Sequence, residues 1–444
     1  VSATRPLTVA GAVLDGERVG VRCAGGEIVA LGPEVEAHAG DETLEADGSL
    51  LVAPLINAHT HAAMTLFRGY GGDLPLMRWL REAVWPIEAK LEPEDVYWGA
   101  RLACAEMIRS GTASFWDMYW HPEETARAVR DAGMRATIGG PLFDVEGGTE
   151  EMKETALENL EKLADFDDGT IAAALAPHAI YTVSEGLLRW VAELAGERGL
   201  AVEIHLSETE QEVTDCIAQH GGRPAAYLDR LGLLGERTVL AHGVWLDQDE
   251  LELIAERGCT VVANPVANMK LAVGGVLDYP AARRAGVRVA LGSDGPGSND
   301  SLDLFADLKV FALSQRHASG DPTVLPAREA WSIATGEASP LLAAPHPGSQ
   351  RFFNDMPGKS VATARGATGM IRVGGPADFL LLRAGTPELG LGDLHSDLVY
   401  AAGGSVVDTT VVAGRVLMRG GEVPGAEEIV ARAVERSRRL GIVP

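Results

Sequence analysis

Eight short apolar runs recur between Leu50 and Gly292, and amphipathic stretches of helical period lie between most of them. The runs cover residues 50–56, 112–117, 135–139, 170–176, 201–205, 238–242, 260–264 and 288–292. Helical stretches fall at 94–110, 123–132, 150–164, 184–198 and 246–257. Strands alternating with helices are joined by crossovers, which makes them parallel and buried on both faces. Eight such units in about 250 residues have the size of a (β/α)8 TIM barrel of the α/β class. A doubly wound open sheet is the alternative, but no GxGxxG follows the first run.

The ends of the chain read differently. Short strands with Gly turns fall at 7–10, 18–23 and 27–31, and again at 378–382, 406–412 and 415–418. One small β-sandwich built from both termini is the economical reading. It assigns residues 1–53 with 374–444 to that sandwich and 54–373 to the barrel. The stretch 339–359, rich in Pro, Gly and small residues, reads as a loop or insertion between them.

A net charge of -25 disfavours nucleic acid and anionic membranes as partners, since both are polyanions. Cys23, Cys104, Cys216 and Cys259 are scattered, with no CxxC spacing. Neither a disulfide framework nor a structural zinc cluster is expected, and a reducing, cytoplasmic setting is. No secretory leader and no apolar run of transmembrane length is read.

Chemistry collects at the ends of the runs. The first leads into His59-Thr60-His61, whose i and i+2 side chains share a face in a strand. Two others end in His205 and His242, and the last runs into Ser293-Asp294-Gly295. Barrel enzymes carry their catalytic groups at the C-terminal strand ends, so these residues converge. Three histidines and a carboxylate suit Zn2+, with Fe2+ as a competitor. A catalytic zinc keeps one position for water and lowers its pKa to about 7; Asp294 can take the proton. Glu208, three residues past His205, is either a proton donor to a leaving group or ring nitrogen, or a helix N-terminal acid. Spacing alone leaves both open. The fourth run, 170–176, has no lysine to bridge two ions, so one metal is expected.

His59-Thr60-His61, His205-Leu206-Ser207-Glu208, Ala241-His242-Gly243 and Gly292-Ser293-Asp294-Gly295 together resemble the amidohydrolase superfamily, in its mononuclear-metal deaminase branch. Met64–Gly69, Trp85-Pro86-Ile87-Glu88, Pro177–Tyr181 and Ser298–Leu302 are similar to the 5'-methylthioadenosine/S-adenosylhomocysteine deaminases. The resemblance implies that His59, His61, His205 and Asp294 ligate the metal, that Glu208 shuttles protons and that His242 orients water. It implies Trp79 and Glu88 at the ribose and His178 against the nucleoside. It also implies a homodimer or higher homo-oligomer.

The chain departs from that subgroup at residues 139–144, which lack the arginine that can hold a homocysteine carboxylate and include Asp144. Ala263, Gly243, Trp245 and Gly295-Pro296-Gly297 also differ. These changes favour a plain nucleoside or a neutral thioether. The expected activity is hydrolytic deamination of an adenine nucleoside. Its rivals are action on a free base or amino-heterocycle such as guanine, 8-oxoguanine, cytosine or a triazine, and a non-catalytic binding barrel.

Overall fold

The computed structural model describes residues 5–166, 169–337, 339–342 and 369–443. The first strands are β1 (Leu7–Leu14), β2 (Glu17–Ala24), β3 (Glu27–Gly32), β4 (Glu42–Glu45) and β5 (Leu50–Val52). Then come β6 (Leu55–Thr60), β7 (Thr112–Met118), β8 (Arg135–Gly139), β9 (Pro141–Leu142), β10 (Ile171–Pro177), β11 (Ala201–Leu206), β12 (Thr238–His242), β13 (Thr260–Ala263) and β14 (Arg288–Leu291). The chain ends with β15 (Phe379–Leu382), β16 (Val407–Val412), β17 (Arg415–Met418) and a helix at Ala426–Arg439.

Two sheets result. One follows the order β14-β13-β12-β11-β10-β8-β7-β6, with β9 beside β10. All its pairings are parallel. Its two ends meet where the Asp294 N–H donates to the His59 carbonyl at 3.1 Å, so the sheet closes as the expected barrel. The other runs β17-β16-β15-β5-β1-β2-β3, with β4 on β1, and so joins both termini. Seven of the eight sequence runs coincide with barrel strands to within a residue or so. The run at 50–56 is instead divided. Leu50–Val52 pairs antiparallel with Phe379–Leu382 in the terminal sheet, and the barrel strand starts at Leu55. Pro54, between them, has no N–H to continue a ladder.

Ile56, Ala58, Trp116, Ala174, Val239, Val262 and Ala290 pack together as one buried cluster drawn from six of the eight barrel strands. Outside the barrel, the helix Pro93–Arg109 shows why the sequence folds as it does. Pro93 opens it, and Glu92 and Asp95 cap each other's backbone N–H groups. Val96, Ala100, Ala103 and Met107 then recur at helical spacing and are buried. Gly99 lets this helix close on the turn Ala62–Phe67, since a Cβ there would lie 2.6 Å from the Ala63 carbonyl oxygen. The stretch from 343 to 359, most of the expected loop, lies outside the described residues.

The two sheets are tied by a buried ion pair at the N-terminal end of the barrel. Arg135, first residue of β8, donates from Nε to Asp378 Oδ2 at 2.8 Å, with both side chains at most 3% exposed. Asp378 Oδ1 also accepts the Ala413 N–H at 2.6 Å. Removing Asp378 takes away the acceptor shared by Arg135 Nε and the Ala413 N–H inside a buried interface. Asp378→Ala should therefore cost about 1–3 kcal/mol in equilibrium denaturation. Metal content of the folded fraction should be unchanged, because the pair lies at the barrel end opposite the histidines.

Candidate active site

His59, His61, His205 and Asp294 come together at the C-terminal end of the barrel, with one ligand atom from each within 4.8 Å of all the others. Strand β6 delivers the first two, although it is irregular between Asn57 and Thr60 and His61 lies just past its end. The i, i+2 face rule is therefore only approximate here, yet the rings still meet edge to face at 5.0 Å. Asp294 stands at φ 62 and His242 at φ 75, left-handed backbone that costs energy outside glycine. Hydrogen bonds hold Asp294 in place: Ser293 N–H to Asn57 Oδ1, Thr60 Oγ1 to the Asp294 carbonyl, and Ser298 Oγ to Asp294 Oδ2 at 2.6 Å.

The hydrogen bonds settle the tautomers of the three histidines. His61 Nδ1 lies 2.7 Å from the Met118 carbonyl and His205 Nδ1 2.6 Å from the His178 carbonyl, so each carries a proton there. His59 Nδ1 faces Glu203 Oε1 at 2.8 Å. All three Nε2 atoms thus face inward. His61 and His205 Nε2 face each other at 3.3 Å, and Asp294 Oδ1 lies 3.3 Å from His61 Nε2 and 3.5 Å from His59 Nε2. Burial opposes protonation of His59, but Asp294 and Glu203 raise its imidazole to about 10, so the cluster draws positive charge inward. A metal ion can supply that charge in place of protons, and nitrogen and oxygen donors of this kind fit a divalent transition metal.

The remaining residues surround an open cavity above the cluster. Glu208, His242, Trp79, Glu88 and His178 all line it, together with His61, His205 and Asp294. His242 lies outside the four-ligand cluster; its Nδ1 faces Asn268 Oδ1 at 2.8 Å, and burial pushes its imidazole down to about 4. Burial, reinforced by Asp294 and Glu212, holds the Glu208 carboxyl well above the usual carboxylate range. Glu212, not Glu208, is the helix-start acid: its oxygens accept the Ser207 and Glu208 N–H groups. Burial opposes ionisation of Asp294 too, but hydrogen bonding with His59 and His61 holds it well below the usual value. Burial and the nearby His61 and His59 push His178 down to about 3, so it is neutral.

Several features were not anticipated from sequence. Trp79 directs its indole N–H to the Tyr70 carbonyl at 3.4 Å, so it presents an apolar face to the cavity and not a donor. Glu88 is raised by burial, against which the Tyr119 hydroxyl and Trp120 indole favour its charged form. Trp120 stacks on Phe143 at 5.5 Å, and Phe143 lies against His178 at 4.5 Å. Asp144, flagged as an acid near the substrate, is occupied elsewhere: it accepts from Ser184 N and Oγ and from Thr149 Oγ1. No Lys or Arg lines the cavity among the described residues.

Comparison with known proteins agrees with this geometry. A sequence model of the Amidohydrolase family matches residues 50–344. The chain is 44% identical over 418 residues to the 5'-deoxyadenosine deaminase of Methanoregula boonei, covering 92% of this chain and 89% of that one. It is 42% identical over 426 residues to the 5-methylthioadenosine/S-adenosylhomocysteine deaminase of Syntrophobacter fumaroxidans, covering 93% and 92%. An adenosine deaminase from Xanthomonas campestris, crystallised with bound zinc, superposes with a TM-score of 0.86 at 33% identity over 99% of both chains. With the family's model spanning every ligand and relatives aligned along most of its length, the chain belongs to the amidohydrolase family.

Proposed function

We propose that this protein deaminates an adenine nucleoside with a neutral, apolar 5' substituent, using one divalent metal ion, Zn2+ by first choice. The observation that carries the reading is the shared cavity: Glu88, which can accept two hydroxyl hydrogen bonds from a ribose diol, lines the same space as Glu208 and the ligand cluster. The relatives named above act, by their names, on adenine nucleosides.

His59, His61, His205 and Asp294 would hold the ion, which when bound supplies Lewis acidity and an acidified water. Asp294 accepts the proton that water loses as its oxygen bonds to C6. Glu208, kept protonated by its buried setting, gives its proton to the ring nitrogen beside C6. His242 donates through Nδ1 to Asn268, which fixes its ring and leaves Nε2 to orient water. The C6–N bond then breaks, the proton held by Asp294 goes to the leaving nitrogen, the C6 hydroxyl returns its proton to Glu208 as the carbonyl forms, and ammonia departs. Water and the adenine nucleoside become the hypoxanthine nucleoside and ammonia, so atoms balance. Trp79, Phe143 and Trp120 supply the apolar and aromatic walls, and His178 lies against the base.

Three expectations follow. Glu208→Gln should lower kcat by about 10²–10⁴-fold while leaving bound metal stoichiometric. Because the folded pKa of Glu208 is raised, the active protonated form persists to higher pH than for an ordinary carboxyl and is lost as pH climbs past the folded value. The alkaline limb of the native pH–rate profile should therefore be absent in the variant. Glu88→Gln should cost about 10–100-fold in kcat/KM for nucleosides, the worth of one or two hydrogen bonds to a charged group. An unchanged rate would favour a free-base substrate.

The third concerns the 5' position. Leu76, Leu80, Val84 and Trp85 line the cavity, the acids Glu88, Glu208 and Asp294 share it, and no lining cation is available for an anion. Burying an unpaired carboxylate there is unfavourable. In an ammonia-release assay, 5'-deoxyadenosine and 5'-methylthioadenosine should exceed S-adenosylhomocysteine at least tenfold in kcat/KM. Equal rates, or release only from free bases, would reject the proposal.

A further inference from the structure

We propose that Glu203 is a positioning residue of the metal centre: it fixes the His59 tautomer and supplies the second negative charge that balances a buried dication. This rests on the metal reading above. The argument begins with topology. Glu203 lies on β11, two residues before the ligand His205, and reaches His59 on β6. These strands are not neighbours: β12, β13 and β14 separate them on one side, and β10, β8 and β7 on the other. The 2.8 Å contact therefore spans the inside of the barrel.

Its environment is dry, with the two side chains 0% and 1% exposed. Glu203 Oε2 is fully buried and makes no hydrogen bond. A carboxylate so placed is costly unless positive charge lies close by. With its Nε2 on the ion, His59 is neutral, so it supplies Glu203 with a hydrogen bond but no charge. With Asp294, the centre holds two carboxylates in contact with ligand atoms, the number that cancels a dication.

His59 also differs from its partners. His61 and His205 donate Nδ1–H to backbone carbonyls, which are neutral, whereas His59 donates to a carboxylate. A carboxylate acceptor draws the Nδ1 proton, makes Nε2 a stronger donor to metal and holds the ring orientation. Glu203 does not line the substrate cavity, so its influence should pass through the metal alone.

The test uses the full chain and Zn2+. Glu203→Gln keeps an acceptor oxygen for His59 and removes the charge. Chelator competition should then show Zn2+ affinity weakened about 10–100-fold. The melting temperature of the zinc-loaded protein should fall further than that of the metal-free protein, and KM for the nucleoside at saturating Zn2+ should be unchanged. Asp378→Asn is the control: Asp378 is also buried, pairs with Arg135 Nε at 2.8 Å, and lies at the barrel end opposite the ligands. It should lower both melting temperatures together and leave affinity unchanged. Affinity of the Gln variant within twofold of native, or a drop in both melting temperatures like that of the control, would overturn the inference. If Glu203→Gln does not fold, Glu203→Asp, which keeps the charge but falls short of His59, is read by the same two measurements. A native protein that binds no transition metal would sink the proposed function itself. A metal-binding native protein whose Gln variant is unaffected would sink only the role of Glu203.

Discussion

The hydrogen bond from the Asp294 N–H to the His59 carbonyl, at 3.1 Å, is the interaction on which the rest of the site depends. It joins the last barrel strand to the first, and both of its residues belong to the ligand cluster. Closing the sheet and assembling the site are thus one event. Asn57 and Ser293 reinforce it with two side-chain contacts at 2.7 and 2.9 Å. Asn299 pins the Ser293 carbonyl at 2.7 Å while resting on Asp307. Gly292 is required at this join, because a Cβ there would meet Asn264 Oδ1 at 2.5 Å. The left-handed backbone of Asp294 is strain that this network holds in place.

The candidate site was legible in sequence because barrel chemistry ends strands. His205, His242 and Asp294 each follow an apolar run whose boundaries the structure keeps to within a residue or so. The first run misled, since two strands of different sheets meet head to tail at Ala53-Pro54 and share one apolar composition. Glu203 went unread because an acid inside an apolar run looks like an exception to the run. The period of 2 was the available signal, for it puts residue 203 on the face of residue 205. Tyr119 and Trp120 were passed over because the run at 112–117 was ended at its acid, Asp117. That acid is buried and caps the Ala62 N–H at 2.6 Å.

The substrate walls were less legible for a different reason. Leu76, Trp79, Leu80, Val84 and Glu88 lie on a helical segment whose centre, Leu80–Val84, is wound as a π-helix. Its wider turn breaks the 3.6 period by which an inward face is recognised. Trp79 and Glu88 were reached by resemblance, and periodicity would have left them unplaced. The turn Ala62–Phe67 brings Met64 to the same cavity and is held from outside by the C-terminal helix, where Ser437 Oγ donates to the Leu66 carbonyl at 3.0 Å.

This division has a chemical consequence. On the proposed reading, reaction type depends on atoms fixed by the closed barrel: three histidines oriented by Met118, His178 and Glu203, the carboxylate of Asp294, and an acid, Glu208, raised by burial. Substrate choice depends on segments outside the strands, where an altered side chain leaves the ligand geometry untouched. The cavity combines two requirements that few small molecules meet together. Its acids and lack of lining cations repel anions, while its Trp, Phe and Leu walls favour apolar surface. A flat amino-heterocycle satisfies the walls and the reacting centre but brings the half-buried Glu88 no hydroxyl donor. A ribose diol satisfies Glu88, and a short uncharged 5' group lets the remainder meet the apolar wall. The nucleoside reading is favoured because it gives Glu88 a partner while also using Glu208 and the ligand cluster.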